Sequence, residues 1–156
     1  MEIIFRRANT NDLPILVEML REDELEKNRE THDMIRYKAA WVELKNDPNN
    51  QIIIGEIDNK IITMLQLTFI RHLTFQGGLR AQIEGVRTHK NYRRQGIGQK
   101  LIEYAVQLAK EKNCHLIQLT SNQLRLEALG FYEKLGFKPT HIGFKMTLED
   151  SQKKST

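Results

Sequence analysis

Six consecutive residues two-thirds of the way along the chain, Arg93-Arg94-Gln95-Gly96-Ile97-Gly98, have the types and spacing to hold a phosphate. They follow a run that reads as a strand and open a run of helical periodicity. A helix start presents four N–H groups without intrahelical acceptors and the positive end of the helix dipole, a combination that binds phosphate. Gly96 and Gly98 remove side chains where the backbone must approach a ligand. Arg93, Arg94 and Lys100 gather positive charge at the same point. Three phosphate-binding patterns compete here. A P-loop requires Gly-Lys followed by Ser or Thr, which Gly98-Gln99-Lys100-Leu101 does not supply. A dinucleotide fingerprint requires a third glycine three residues after Gly98, where Leu101 stands. Arg-x-x-Gly-x-Gly at a strand-to-helix turn is satisfied. On these residues alone, so is a tight turn with solvated arginines.

The elements that must position this turn are legible on either side of it. Residues 2–8 read as a first strand. Asn9 or Thr10 can cap a helix to about residue 20, with Ile15, Leu16, Met19 and Leu20 on one side. A second helix is predicted over 34–45, ending near Asp47-Pro48. Runs 51–57 and 60–70 are rich in β-branched residues and flank Asp58-Asn59, a hairpin signal. Gly77-Gly78 marks the next turn. Residues 79–88 form a strand in which Gly85 implies a bulge. Over 96–112, Ile97, Leu101, Ala105 and Leu108 make one helical row, and Ile102, Val106 and Ala109 another. A short strand at 115–120 follows, then a helix over 124–134 ended by Gly136. Closing strands are predicted over 137–139 and 142–148, ahead of a polar tail. The alternation of strands and helices specifies one mixed α/β domain over residues 1–150, with 151–156 as the tail.

Composition is that of an ordinary soluble globular protein: 156 residues, 40% hydrophobic and 28% charged. No apolar run approaches the ~20 residues of a membrane span. The first six residues lack the layout of a secretory signal, and the single cysteine, Cys114, allows no internal disulfide. A cytoplasmic location is the expectation. The net charge of +4 is unevenly spread. Residues 87–100 hold five Lys/Arg, one His and no acid. Residues 18–30 hold Glu18, Glu22, Asp23, Glu24, Glu26 and Glu30 against Arg21, Lys27 and Arg29. The first segment seeks anions and the second cations, unless both are simply solvated faces. Basic residues confined to one turn, with no recognised nucleic-acid motif, argue against a nucleic-acid partner. The five histidines show no metal-ligand spacing, so no metal is expected.

Two spaced segments carry a family resemblance. The first is Ile83-Glu84-Gly85-Val86 through Tyr92-Arg93-Arg94-Gln95-Gly96-Ile97-Gly98 and its helix. The second is Arg125-x-x-Ala128-x-x-Phe131-Tyr132-x-x-Leu135-Gly136-Phe137. In order and spacing they resemble the GCN5-related N-acetyltransferase (GNAT) superfamily over residues 83–137. The N-terminal third shares only the strand-helix-helix-strand outline. The resemblance implies an α/β fold whose central mixed sheet has splayed fourth and fifth strands and is flanked by about four helices. It implies acetyl-CoA as cosubstrate, with the pantetheine arm in the splay paired to backbone groups of Val86 and Thr88. The pyrophosphate would sit on the N–H groups of Arg93, Arg94, Gln95, Gly96, Ile97 and Gly98. An amine, of a small molecule or a peptide, is the implied acceptor, and a homodimer is common in the family. Where many members carry Asn, this chain has Arg125. Asn122 could supply the equivalent hydrogen bond to the cosubstrate, with Arg125 in an ion pair.

An amine attacking a thioester must be neutral, its oxyanion needs a donor, and the leaving thiolate benefits from a proton. Glu84, on the splayed strand, is the candidate base; in the family a Glu here often acts through water. Regular pairing would place it on one face with Gln82 and Val86. A bulge at Gly85 would free the Val86 N–H to act as the oxyanion donor. Tyr132 resembles the family tyrosine whose phenol approaches the cofactor sulfur, and is the candidate acid. The blander readings are an ion-paired surface Glu84 and a half-buried packing Tyr132. Trp41 reads as core or as a wall of the acceptor pocket. The acidic segment favours a small cationic amine as acceptor. The competing function is a module of the same fold that binds acyl-CoA without turnover.

Overall fold

The computed structural model describes residues 2–23, 25 and 27–149. Five strands, β1 (Ile4–Arg7), β2 (Asn50–Ile57), β3 (Lys60–Arg71), β4 (Leu79–Thr88) and β5 (Leu116–Leu119), form one sheet in that spatial order. The first three junctions are antiparallel and β4–β5 is parallel. The helices are α1 (Leu13–Arg21), α2 (Met34–Asn46), α3 (Ile97–Glu111) and α4 (Leu126–Lys134). The β2–β3 hairpin turns on Asp58 and Asn59 at φ 49° and 63°. Both being positive is the geometry of the tight hairpin turn that this pair predicts.

The sheet buries both faces. Ile52, Ile54 and Met64 pack with Leu16 and Met19 of α1 and Trp41 of α2. Ile57 and Ile62 pack with Ile97 at the start of α3. The two apolar rows of α3 supply its buried residues: Ile97, Leu101, Ile102, Ala105 and Ala109. Asn9 is the cap that starts the first helical turn. Its Oδ1 accepts from Asn11 N–H at 3.0 Å, and Asp12 accepts from Asn9 N–H at 2.8 Å. Arg6 of β1 grips Asp12 at 2.7 Å and Glu56 of β2 at 3.3 Å. Its hydrogen bond holds the Asp12 carboxyl below the usual carboxylate range.

Backbone contacts divide the chain after Leu119 into two compact units. The sheet and the first three helices belong to the first. In the second, Asn122 Oδ1 accepts from Leu124 N–H at 2.9 Å just ahead of α4. That helix stops at Gly136, at φ 97°, where Phe137 N–H reaches back to the Tyr132 carbonyl at 3.1 Å. This is the glycine-terminated helix end anticipated from the sequence. The closing strands predicted over 137–139 and 142–148 do not form. Ile142, Phe144, Met146 and Leu148 keep the alternation of a strand, but their side chains are 81% to 92% exposed. Alternation specifies which face a strand would bury; a strand itself requires a paired neighbour. The predicted tail, 151–156, lies outside the described residues.

Candidate active site

Strands β4 and β5 pair only from Arg80↔Leu116 to Ile83↔Leu119, while β4 runs on to Thr88. Residues 84–88 therefore have β3 on one side and no described strand on the other. This is the splay the resemblance implied. Gly85 sits at φ 61°, and the β3–β4 register slips there. Gln66 faces Glu84 and Met64 faces Arg87, so Gly85 and Val86 together oppose Leu65. The bulge expected at Gly85 is present, and it resets the alternation of the strand. Cross-strand partners share a face, so Gln82, Glu84 and Arg87 lie with Thr68, Gln66 and Met64 on the α1–α2 side. Thr88 lies on the other face with Ile83. Regular pairing would have put Val86 beside Glu84; the bulge puts Arg87 there.

Arg87 and Asp23 are the functional-region pair that sequence reasoning missed. Arg87 Nη2 meets Asp23 Oδ2 at 2.9 Å, with side chains only 14% and 6% exposed. Arg87 Nη1 also donates to the Val86 carbonyl at 2.8 Å. A Cβ on Gly85 would stand 3.9 Å from Leu20 Cδ2 of α1. The end of α1 thus rests on the bulge, and the ion pair clamps it there. A glycine inside a strand is a visible signal for such a parity change, but Asp23 lies 64 positions before Arg87 in the chain. Asp23→Asn keeps the shape and loses the charge. Its predicted cost is about 1–3 kcal/mol of stability, measured by urea unfolding.

The pair also thins the acidic segment. Asp23 is consumed by Arg87, and Glu30 accepts from Tyr37 Oη at 2.9 Å and Arg29 Nε at 3.1 Å. Glu18, Glu22 and Glu84 are exposed. Glu24 and Glu26 lie outside the described residues.

Beyond β4, a short turn over Lys90–Tyr92 leads to the glycine pair. The His89 ring accepts from Asn91 N–H at 3.2 Å, Arg93 Nε donates to the Thr88 carbonyl at 3.1 Å, and Gln95 Nε2 to the Asn91 carbonyl at 3.2 Å. Arg93 therefore ties the turn back to the end of β4. Arg94 and Gly96 both take positive φ, 61° and 78°. The α3 ladder begins with Lys100 N–H on the Gly96 carbonyl at 3.2 Å, so the amides just ahead of it have no acceptor in the helix. Ile97, 4% exposed, anchors this point in the core. A Cβ built on Gly96 would meet nothing within 4 Å. Room, unsatisfied amides and three cationic side chains around one helix start fit a pyrophosphate. Thr88 is engaged from behind: its Oγ1 lies 3.1 Å from Thr63 Oγ1, whose hydroxyl donates to the Arg87 carbonyl at 2.8 Å.

The remaining candidates belong to the second unit. Tyr132 is half-buried on α4, edge-on to Phe131 at 5.0 Å and Phe137 at 5.8 Å between ring centroids. Asn122 spends its Oδ1 on Leu124, which leaves its Nδ2 for a ligand. Arg125 stands at the N-cap position of α4, where its side chain makes no capping hydrogen bond. In the first unit Trp41 is core, 6% exposed, with Nε1 donating to Thr10 Oγ1 at 2.9 Å. It also lines an open cleft of about 160 Å³ with Arg7, Thr10, Lys45 and Asn50, whose lining includes neither Glu84, Val86 nor any residue of the phosphate-type turn. Burial pushes the Cys114 thiol up, the direction that weakens a nucleophile. Among the described residues no group of three or more His, Cys, Asp or Glu could hold a metal, and no helix is long and apolar enough to cross a membrane.

Comparison with known proteins adds a family and a set of folds. The model of the Acetyltransferase (GNAT) family matches residues 15–137. The crystal structure of a transcriptional regulator from Bacillus halodurans C-125 is 46% identical, covers 94% of this chain and 100% of its own, and superposes with TM-score 0.91. Glucosamine-6-phosphate N-acetyltransferase from Arabidopsis thaliana is 18% identical over 96% of this chain and 100% of its own, TM-score 0.80. An aminoglycoside acetyltransferase from an uncultured soil metagenomic sample, in complex with sisomicin, is 24% identical over 94% and 97%, TM-score 0.78. The last two share the fold.

Proposed function

Because the chain belongs to the GNAT acetyltransferase family, we propose that it transfers an acetyl group from acetyl-CoA to a primary amine by direct attack in a ternary complex. Residues 1–150 form the acetyltransferase domain in this reading. The observation that carries it is the pairing of an open strand edge, 84–88, with a phosphate-shaped turn directly after it. Acetyl-CoA supplies the thioester. The backbone of Val86 and Thr88 offers the open edge to its pantetheine arm, and the amides of Arg93 to Gly98 take its pyrophosphate. Asn122 adds a hydrogen bond through its amide nitrogen.

Glu84 takes the proton of the incoming amine, directly or through a water. The Val86 N–H stabilises negative charge as it develops on the carbonyl oxygen. Tyr132 returns a proton to the departing sulfur. If Glu84 is the base, Glu84→Gln lowers kcat most at low pH, where the amine is protonated, and least at high pH. A pH–rate profile parallel to that of the native protein would remove Glu84 from this role.

The acceptor is a small cationic amine, drawn by Glu18, Glu22 and Glu84. The relatives named for glucosamine-6-phosphate and aminoglycoside acetylation also act on polar amines. Glu22→Gln should raise KM for a cationic acceptor about two- to fivefold, the size of a ~0.5–1 kcal/mol exposed ion pair. The effect should fade in high salt, which screens exposed charges. An unchanged KM, or a neutral preferred acceptor, would refute the steering. Acetyl-CoA-dependent thiol release across polyamines, aminoglycosides, amino acids and peptides identifies the acceptor. A cytoplasmic setting supplies acetyl-CoA and completes the reading.

A further inference from the structure

At the opposite end of β4 from the bulge, two histidines 43 positions apart in sequence meet. His72 Nε2 lies 2.9 Å from His115 Nε2, and the rings stack with centroids 5.1 Å apart. His72 Nδ1 lies 2.8 Å from Arg80 Nη2 and 2.6 Å from Thr74 Oγ1. A guanidinium only donates, so His72 Nδ1 is an acceptor. The single proton of neutral His72 is then on Nε2 and points at His115. His115 Nε2 accepts it and keeps its own proton on Nδ1. Arg80 thereby fixes the tautomers of both rings.

The charge around this pair is one-sided. Arg80 is half-buried, forms no ion pair with a described carboxylate, and its Nε is buried without an acceptor among the described residues. Its Nη1 reaches only the neutral Gln118 Oε1, at 3.4 Å. Partial burial first, and then the charges of Arg80, His115 and Arg71, hold the His72 imidazole below its ordinary value. Arg71 spends a donor on the Gly77 carbonyl at 2.9 Å. Lys112, over the Phe69 ring at 5.5 Å, adds charge on the next element. The β3–β4 connection beside them is held in an unusual shape. Phe75, Gln76 and Gly77 take φ 50°, 60° and 70° in succession, and the Phe75 ring lies 4.7 Å from that of His115.

We propose that His72 and His115, positioned by Arg80, form a binding site for an oxyanion (a sulfate, phosphate or carboxylate group) lying some four strand residues, about 13 Å, from Glu84. His115 is exposed; to take the anion it turns its Nε2 away from His72. On gaining a proton there, it presents an N–H beside that of His72, and the two donors converge on one oxygen. His72 stays neutral, with its tautomer locked by Arg80 and Thr74. The anion supplies the negative charge the cluster lacks. One proton enters with it, so affinity rises as pH falls, by up to about tenfold per unit. A divalent metal would place a second positive charge beside Arg80 and is disfavoured.

The test is a sulfate titration of the full chain followed by NMR of the histidine rings, with sulfate chosen because it does not titrate in this range. Saturating sulfate should shift the ring resonances of both His72 and His115, and at about tenfold lower sulfate for each unit the pH is lowered. His89, beside the phosphate-type turn, reports anion binding there separately. Arg80→Gln should abolish the His115 shift. Should that variant fail to fold, His115→Gln at the exposed position should make the His72 resonances insensitive to sulfate. Unmoved His72 and His115 resonances in the native chain, or an equal shift in Arg80→Gln, would overturn the site. An amine panel separates the two sources of anion. If the group belongs to the acceptor, Arg80→Gln raises KM only for amines carrying a carboxylate or phosphate. If it is a separate ligand, those KM values are unchanged while the sulfate response is lost.

Discussion

Tyr132→Phe should lower kcat by about 10²- to 10⁴-fold, the usual contribution of a general acid, while acetyl-CoA binds with nearly native affinity. Phenylalanine keeps the ring that packs edge-on against Phe131 and Phe137 at 5.0 Å and 5.8 Å. It also keeps the backbone carbonyl on which Leu135 and Phe137 close the helix. Only the hydroxyl is removed, so the loss should appear in kcat, with the melting temperature recorded beside it. A variant with native kcat would make Tyr132 a packing residue and assign the proton to solvent.

Gly96→Val should weaken acetyl-CoA binding by on the order of 10²- to 10⁴-fold. Two or so charge-assisted hydrogen bonds between amides and pyrophosphate, each worth ~1.5–3 kcal/mol, would be lost. Two physical effects act together. A β-branched residue resists φ of 78°, so the turn itself shifts. Its side chain also projects into the open space where nothing now lies within 4 Å. No neighbour has to move to admit that side chain, so the fold should survive and calorimetry can read binding alone. Unchanged affinity would place the pyrophosphate somewhere other than this turn.

Much of this was legible in the sequence, for identifiable reasons. The turn at Arg93–Gly98 is local: its glycines, cations and helix start are neighbours in the chain. Asp58-Asn59, Asn9 and Gly136 were legible for the same reason, because each acts on backbone within a few residues. Gly85 announced a bulge. What it did not announce was the consequence two residues later, where the reset alternation turns Arg87 toward α1 and Asp23. That pairing depends on register, which no local pattern specifies. A count of carboxylates in the acidic segment likewise does not reveal that Asp23 and Glu30 are already engaged. His72 and His115 carried no signal at all; they meet only because β4 and β5 pair in parallel. The alternation of Ile142 to Leu148 was real, yet alternation without a partner strand makes no strand.

The central claim is that this chain moves an acetyl group to an amine, rather than only holding acyl-CoA. The most direct measurement is mass spectrometry of an amine panel incubated with acetyl-CoA and the protein, with free CoA thiol counted in parallel. Acetylated amine and free thiol should appear in equal amounts, and Tyr132→Phe should slow both together while still binding acetyl-CoA. Tight acetyl-CoA binding with no amine acetylated and no thiol released above the protein-free rate would contradict the account and leave a binding module in its place.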